Sequence, residues 1–271
     1  MFKAIKYVLT ENFTNLYRIY SVAKFDIKDD VQSSKLGMLW KFISPIIQVI
    51  IFWTVFGLMW HKKPPVVNGI KVSYLPWLII GYACWWFIQP CITKGCSAIK
   101  SKISIVENMI FPVSTLPAIS VCKELFDSLF VIVIGIIVVI AYGITPSIWW
   151  LQLLYYLFAT FCFAEAVTLI LSVLTMKLRD VANLVTSLVR GLFYFTPVIW
   201  ECHTGNKLLD FILKLNPCYY LTNGYRESIF YNIGFWEHKY ETLYFWVLVS
   251  ILFIIGCVLM YKNKEKYIDL K

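Results

Sequence analysis

Residues 243–261 read LYFWVLVSILFIIGCVLMY, a run of 19 residues without a charged side chain. At about 1.5 Å per residue, an α-helix of this length is roughly 28 Å long, close to the thickness of the hydrocarbon core of a bilayer. A membrane-spanning strand needs only about 9–11 residues, so strands do not explain a run this long. The stretch therefore predicts a helix that crosses a membrane.

Similar apolar runs recur along the chain and predict six transmembrane helices. They lie near residues 42–60, 75–93, 117–142, 149–175, 182–200 and 243–261. The composition agrees, since 59% of the 271 residues are apolar, 15% are charged and the mean hydropathy is +0.69, whereas soluble domains carry about 25% charged residues. The sequence predicts an all-α integral membrane protein, with residues 1–35 as an N-terminal segment and 36–271 as the membrane domain.

Lys and Arg residues are distributed unevenly about these spans. If the N-terminus is inside, 17 of the 25 Lys and Arg residues fall in cytoplasmic segments, seven fall in outer segments, and Arg190 is left within a span. Cytoplasmic loops of membrane proteins carry the excess of Lys and Arg. We therefore expect both termini in the cytoplasm.

The segment before the first span predicts an amphipathic helix. Apolar residues recur there at alternating steps of four and three, which places them on one helical face. They are Leu9, Phe13, Leu16, Tyr20, Ala23 and Ile27. Arg18, Lys24 and Lys28 lie off this face, which suits a helix lying flat on the inner membrane surface. The alternative is a helix packed on another protein surface.

The cytoplasmic stretch from Lys94 to Thr115 mixes charged residues with apolar side chains that a bare connector does not need. The apolar ones are Ile99, Ile103, Ile105, Ile110 and Phe111. One interpretation is a short helix that presents these side chains to a cytoplasmic partner and ends at Pro112, which lacks the N–H needed to continue it. The alternative is an irregular loop folded onto the bundle.

The outer segment 201–242 contains the apolar run 208–215, which is far too short to cross a bilayer, followed by Pro217 and an aromatic-rich stretch. We expect this segment to lie flat or to dip into the membrane. Backbone groups at membrane depth need partners, so a dip must be sheltered inside the bundle.

Arg190 lies about ten residues from the inner end of the predicted fifth span, roughly 15 Å deep at 1.5 Å per residue. A charge at that depth is expensive unless it has a partner. One hypothesis is structural: an ion pair between Arg190 and Glu165, which lies at a similar height on the fourth span. The other is functional: Arg190 faces a water-filled pathway and binds substrate phosphate through two parallel hydrogen bonds.

Aromatic residues make up 18% of the chain, more than belts at the two membrane surfaces usually need. Trp53, Phe56 and Trp60 share a face of the first span, and Tyr194 follows Arg190 by four residues. Such a stripe is either packing or a surface for sugar rings, since aromatic faces suit their apolar C–H faces.

Motifs for catalysis and for ATP binding are absent from the sequence. There is no GxxxxGK[ST] phosphate-binding loop, no HExxH and no serine elbow. The eight cysteines form no CxxC pair and no metal-like cluster with the three histidines, so no cofactor is expected in this chain. If the protein is a pump, its ATPase must be another chain.

Several short motifs, in their order and spacing, resemble the type-2 ABC exporter permeases for polysaccharide, from about residue 10 to residue 262. They are NMIFP at 108–112 with LP at 116–117, RD at 179–180, TPV at 196–198, LNP at 215–217 and GYR at 224–226. Within that family, the sequence resembles the wall teichoic acid translocation permease first, and the O-antigen and capsule permeases next.

The resemblance implies a homodimer of permeases joined to two copies of a separate nucleotide-binding subunit, which binds ATP and Mg. The implied substrate is a polymer on an undecaprenyl-pyrophosphate lipid, moved outward across the bacterial cytoplasmic membrane, and nucleic acid is not expected as a partner. The alternatives are a drug or small-lipid exporter on the same bundle and a membrane-bound transferase of polymer assembly. The lack of acid, base and nucleophile constellations argues against the transferase.

The resemblance also assigns roles to residues of this chain. The first and fifth spans line the pathway, with Trp53, Phe56, Trp60, Arg190 and Tyr194 as candidates, and residues 208–231 become short re-entrant outer helices. The membrane-interface helix carries Leu9, Phe13, Leu16 and Tyr20. The residues that couple to the ATPase are expected to be Ile99, Ile103, Ile105, Asn108, Phe111 and Pro112.

Overall fold

The structure is a computed structural model that describes residues 1–32, 37, 39–67, 69–103, 111–178, 180–201 and 206–268, with side chains as far as residue 264. The helices are α1 (Phe2–Thr14), α2 (Leu16–Gln32), α3 (Leu39–Phe52), α4 (Tyr74–Thr93), α5 (Leu116–Ala141), α6 (Gln152–Lys177), α7 (Asp180–Phe195), α8 (Lys207–Lys214), α9 (Pro217–Arg226) and α10 (Lys239–Ile268). A π-helical segment, Trp53–Met59, continues α3, and a second one, Glu227–Tyr231, continues α9. Within these ranges no β-strand forms.

Five helical stretches in the described ranges are long and apolar enough to cross a membrane. They are Leu39–Met59, Tyr74–Ser97, Val113–Ala141, Ile148–Lys177 and Lys239–Lys264. These stretches match five of the predicted spans to within a few residues, and the prediction of an all-α membrane protein is confirmed.

The predicted span 182–200 is represented by α7, which has only 16 residues and is about 24 Å long. The helix stops before Pro197, because a proline disfavours helical geometry in the residue before it and cannot donate a backbone hydrogen bond. The six-helix count therefore stays a prediction.

The ends of the bundle are fixed by contacts between distant parts of the chain. Helix α1 and the C-terminal part of α10 lie at one end, where the ring of Tyr7 packs on that of Tyr261 at 5.7 Å. At the opposite end, the Tyr74 hydroxyl donates to the carbonyl of Ile199, just beyond α7, at 2.7 Å. We call these the inner and the outer end, following the orientation predicted from the Lys and Arg residues.

Burial divides the helices into a central one and peripheral ones. Within an apolar stretch of 18 residues in each span, 78% of the residues are buried for α4, against 11% for α3 with its π segment. The apolar side chains of α3 therefore face outward, where lipid or a second chain must cover them, since contiguous apolar surface of this size is not stable in water.

The N-terminal segment differs from the single helix predicted for residues 1–35. It forms two helices, α1 and α2, that meet at Asn15, whose side-chain amide donates to the Glu11 carbonyl at 2.8 Å. Asparagine side chains compete with the backbone for such bonds, which favours a break. The face that packs on the bundle carries Ala4, Val8, Ile19 and Ala23, none more than 4% exposed.

Four of the six residues of the predicted membrane-facing stripe lie on the other side of these two helices. Leu9, Phe13, Leu16 and Tyr20 are between 37% and 67% exposed. Ile27 is half-buried, and Ala23 is buried on the packed face, so the prediction is wrong for Ala23. The N-terminal segment thus has two apolar faces, one buried against the protein and one open. Contact of the open face with lipid stays a prediction.

Helices α8 and α9 close the outer end. Each is too short to cross a bilayer, and α9 is packed between α4 and α6. A Cβ atom on Gly224 would lie 2.0 Å from Cε1 of Tyr156, so only glycine allows this close approach. Asn216 caps α9 by accepting from the Cys218 N–H at 3.0 Å, and its amide donates to the Thr196 hydroxyl at 3.0 Å.

Arg226, at the C-terminal end of α9, is 2% exposed. Its guanidinium donates to the backbone carbonyls of Trp77, Pro197 and Val198 at 3.2, 2.5 and 2.6 Å, and it lies 3.3 Å from the centroid of the Trp77 ring. It therefore joins α9, α4 and the turn that follows α7. The carbonyls of Pro197 and Val198 lie beyond the end of α7, where backbone carbonyls lack helical hydrogen-bond partners, and Arg226 donates to them instead.

Replacing Asn216 by alanine is expected to lower the free energy of unfolding by roughly 1–2 kcal/mol, because it removes both the cap of α9 and the bond to Thr196. The apparent unfolding temperature of the purified protein in detergent measures this. Asn206→Ala, which removes the cap of the exposed helix α8, is the control and should have a smaller effect. Equal effects would mean that the link to Thr196 contributes nothing.

Candidate transport pathway

An outer cavity of about 640 Å³ lies at the outer ends of α3 and α7. Three of the predicted pathway residues, Phe56, Trp60 and Tyr194, line it. The other lining residues are Lys62, Lys63, Tyr74, Trp77, Ile199, Trp200 and Glu201. Aromatic faces and two exposed lysines thus meet in one place, which suits a ligand with apolar faces and anionic groups.

A middle cavity of about 350 Å³ lies between α3, α4 and α7. It combines Arg190 with two glutamines and several aromatic rings. Its lining consists of Gln48, Phe52, Tyr82, Trp85, Trp86, Gln89, Val189, Arg190, Phe193 and Tyr194. Arg190 and Gln89 are exposed in this open cavity, and polar groups within membrane-spanning helices usually face protein or water and not lipid.

An inner cavity of about 470 Å³ lies at the inner ends of α3 and α4. The two helices contribute Trp40, Lys41, Ser44, Trp86, Gln89, Pro90 and Thr93, and the remaining lining residues are Asp30, Gly37, Lys94, Glu124 and Asp127. This cavity is the most strongly charged of the three.

The three cavities adjoin one another in order. Tyr194 lines both the outer and the middle cavity, while Trp86 and Gln89 line both the middle and the inner cavity. They form one groove, the α3–α4–α7 groove, which runs from the inner end of the bundle to the outer end. It is open at the side, where Tyr194 is 65% exposed.

The groove-facing side of α3 follows a simple numerical pattern. Every fourth residue lines the groove, namely Trp40, Ser44, Gln48, Phe52, Phe56 and Trp60. In an α-helix a step of four residues turns roughly 40° too far, since a turn takes 3.6 residues. The π segment Trp53–Met59, with i→i+5 bonds and more residues in each turn, turns the later positions back toward the groove.

The predicted ion pair between Arg190 and Glu165 is wrong. Both carboxylate oxygens of Glu165 are buried without a hydrogen-bond partner among the described residues, and Arg190 forms no ion pair with any of them. The reason is rotational: α7 turns Arg190 and Tyr194 toward the groove, whereas Glu165 is 8% exposed inside the bundle. The functional hypothesis for Arg190 is the one that agrees with this geometry.

Trp53 is the pathway candidate that the structure places elsewhere. It is half-buried against the main hydrophobic core, and it does not line any of the three cavities described above. The polar residues Gln48 and Gln89 were missed by the sequence analysis. Each is an uncharged polar residue inside an otherwise apolar run, four residues from an aromatic residue and therefore on nearly the same helical face. This pattern could have identified both glutamines from the sequence.

The predicted coupling residues are distributed differently from the expectation. Ile99 is fully buried in a second core cluster, against side chains such as Val8 and Leu116, so it is not presented to a partner; this part of the prediction is wrong. Ile103, Phe111 and Pro112 are half-buried. Ile105 and Asn108 lie outside the described residues.

Four lysine–carboxylate pairs bind the inner end together. They are Lys102–Asp26 at 2.6 Å, Lys123–Asp30 at 2.6 Å, Lys41–Asp127 at 2.5 Å and Lys94–Glu124 at 2.9 Å. Two of the pairs join α2 to α5 and to Lys102 in the predicted coupling stretch 94–115. The other two join α5 to α3 and to Lys94 at the end of α4. The inner end is therefore an electrostatic network that connects the N-terminal helices to the groove.

A helical membrane bundle with an aromatic and polar groove along its length is the architecture of a transport protein. The sequence pattern of the family described as ABC-2 type transporter matches residues 17–230. The chain belongs to this family, whose members are membrane subunits without an ATPase of their own. The resemblance to type-2 ABC polysaccharide export permeases is thereby confirmed.

Individual relatives extend over almost the whole chain. Two proteins named O-antigen export system permease protein RfbA, from Klebsiella pneumoniae, are each 24% identical over 246 residues, which is 90% of this chain and 91% of theirs. A protein of the same name from Myxococcus xanthus is 23% identical over 255 residues, 92% of both chains.

Proposed function

We propose that this chain is the permease subunit of an ATP-driven exporter of surface polymer linked to undecaprenyl pyrophosphate. The single observation that carries the proposal is the α3–α4–α7 groove, which joins the two ends of the bundle through side chains suited to sugars and phosphate. Wall teichoic acid is the polymer that the sequence resemblance favours first, with O-antigen and capsule next. The similarity to O-antigen export permeases supports a surface polysaccharide.

The open side of the groove supports a homodimer, because a second copy placed against α3 and α7 would close it. Two copies of a separate ATPase subunit, which hold ATP and Mg, would bind near the stretch 94–112, and this chain needs no cofactor. The setting is the bacterial cytoplasmic membrane, with both termini inside and the open face of α1 and α2 on the lipid surface.

The inner-end ion pairs suggest how movement reaches the groove. ATP draws the partner subunits together and shifts the coupling stretch, which includes Lys102. Lys102 pairs with Asp26 of α2, α2 pairs with α5 through Asp30 and Lys123, and α5 pairs with α3 through Asp127 and Lys41. A shift of the coupling stretch can therefore move one wall of the groove.

The proposal is tested by depleting the protein and measuring surface polymer, together with the ATPase rate of the co-expressed partner with and without this permease. Loss of surface polymer and a permease-dependent ATPase rate are expected. A drug or small-lipid exporter would leave surface polymer unchanged. A transferase would turn over a lipid-linked donor without ATP.

Charge reversal at one ion pair tests the link to α2. Asp26→Lys is expected to lower polymer export several-fold, because two lysines would then face each other. The double variant Asp26→Lys with Lys102→Asp should recover most of the export. Asp29→Lys, on an exposed neighbouring residue, is the control. If the double variant stays as defective as the single one, the pair does not transmit movement.

A further inference from the structure

The inner cavity combines indole rings with neutral hydrogen-bonding groups. Trp40 and Trp86 both line it, and Trp40 is 46% exposed. The hydroxyls of Ser44 and Thr93 and the amide of Gln89 lie around them. The volume of about 470 Å³ falls within the range of about 300–1,000 Å³ that is usual for small-molecule sites.

The charges of this cavity compensate one another. Each of its three carboxylates lies against a lysine: Asp127 against Lys41 at 2.5 Å, Glu124 against Lys94 at 2.9 Å and Asp30 against Lys123 at 2.6 Å. A phosphate group would have to compete with these carboxylates for the ammonium groups. A hydroxyl group both donates and accepts, so it can bond to a carboxylate and an ammonium group at the same time.

Gln89 lies at the boundary between the inner and the middle cavity. Its carbonyl oxygen accepts a hydrogen bond from the Trp85 indole N–H at 2.8 Å, which orients the amide and leaves its NH₂ group to donate. A hydroxyl-bearing ligand in the inner cavity therefore meets an oriented donor on the route toward Arg190.

We infer that the inner cavity is a binding site for a sugar or polyol unit of the exported polymer, where the substrate is first received before it moves along the groove. Stacking on Trp40 and Trp86 would hold the apolar face of the unit, and the paired carboxylates and lysines would hold its hydroxyls. This inference rests on the proposed function and adds a site and its ligand class to it.

Site-specific photocrosslinking in living cells tests the inference with the polymer that the cells themselves make. A photoreactive phenylalanine analogue is placed at Ser44 in the inner cavity, at Tyr194 between the middle and outer cavities, and at Ile137, a 60% exposed residue of α5 outside the groove, as the control. After irradiation and denaturing purification, captured polymer is detected by periodate oxidation of vicinal hydroxyls and hydrazide labelling.

Capture at Ser44 and Tyr194 but not at Ile137 is the expected result. Capture at Tyr194 alone would overturn the inner site and leave the proposed function standing. Capture at neither position, in cells that still display polymer, would overturn the proposed function as well. Equal capture at Ile137 would show that the labelling at Ser44 is unspecific and would also overturn the inner site.

A second substitution separates stacking from binding by charge. With the photoreactive residue at Ser44, Trp40→Ala is expected to lower capture about fivefold, whereas Trp40→Phe should retain most of it, because a benzene ring still offers a stacking face. Undiminished capture with Trp40→Ala would overturn the sugar or polyol site and would point to a headgroup held by the lysines.

Discussion

Replacing Arg190 by alanine is expected to lower polymer export at least about tenfold while the amount of inserted protein stays unchanged. Its guanidinium lines the middle cavity and forms no ion pair with the described residues, so it is available to bind substrate phosphate. Hydrogen bonds to charged groups contribute roughly 1.5–3 kcal/mol each, and every 1.4 kcal/mol is a factor of ten. Surface polymer in a depletion strain that expresses the variant measures the effect.

Two further variants define what the loss means. Arg190→Lys keeps the charge but not the paired geometry, and an intermediate rate of export is expected. Glu165→Gln is the matched control: it is nearly isosteric, and it should leave export intact, because its carboxylate has no partner in the part of the chain that the structure describes. If Glu165→Gln lost as much export as Arg190→Ala, the result would support an ion pair between Arg190 and Glu165 after all. Normal export by Arg190→Ala would show that Arg190 does not bind the substrate.

Loss of Arg226 is expected to destabilise the outer end by roughly 3–5 kcal/mol. Alanine at this position leaves the buried carbonyls of Trp77, Pro197 and Val198 without their donor, and each such orphan is expensive at low dielectric. The apparent unfolding temperature in detergent should fall by many degrees. Lys239→Ala, at an exposed position of the same end, should not change it.

Gly81→Ala tests the same contact from the side of α4. A Cβ atom there would lie 2.2 Å from Nη2 of Arg226, so the guanidinium would have to leave its three acceptors. We expect a loss of stability close to that of Arg226→Ala, although no charge is removed. If Gly81→Ala were as stable as the wild type, the role assigned to Arg226 would be wrong.

The helices that cross the membrane could be predicted because the length of an apolar run and its charged flanks decide them locally. The N-terminal segment was harder, since it has two apolar faces. The stripe of large residues, such as Leu9 and Phe13, was evident from the sequence. The face that packs on the bundle is built partly from small residues, Ala4 and Ala23. The spacing placed Ala23 on the open stripe instead, because a small apolar side chain suits either face until a neighbouring helix is placed against it.

In the groove, the sequence revealed residues of unusual type and concealed those that depend on rotation or on distant contacts. Arg190, Phe56 and Tyr194 were found because charge and aromatic rings stand out in an apolar run. The ion pair with Glu165 was wrong because equal height on two helices does not fix which way each side chain faces. Lys102 and Asp26 were missed because 76 positions separate them.

The fourfold register of α3 makes the number of residues in this helix as important as their identity. A single residue inserted after Gln48 would rotate everything beyond it by about 100° around the helix axis and carry Phe56 and Trp60 away from the groove. An insertion of four would return them nearly to their original direction. Variation between related transporters in this helix should therefore consist of substitutions and of changes by whole turns.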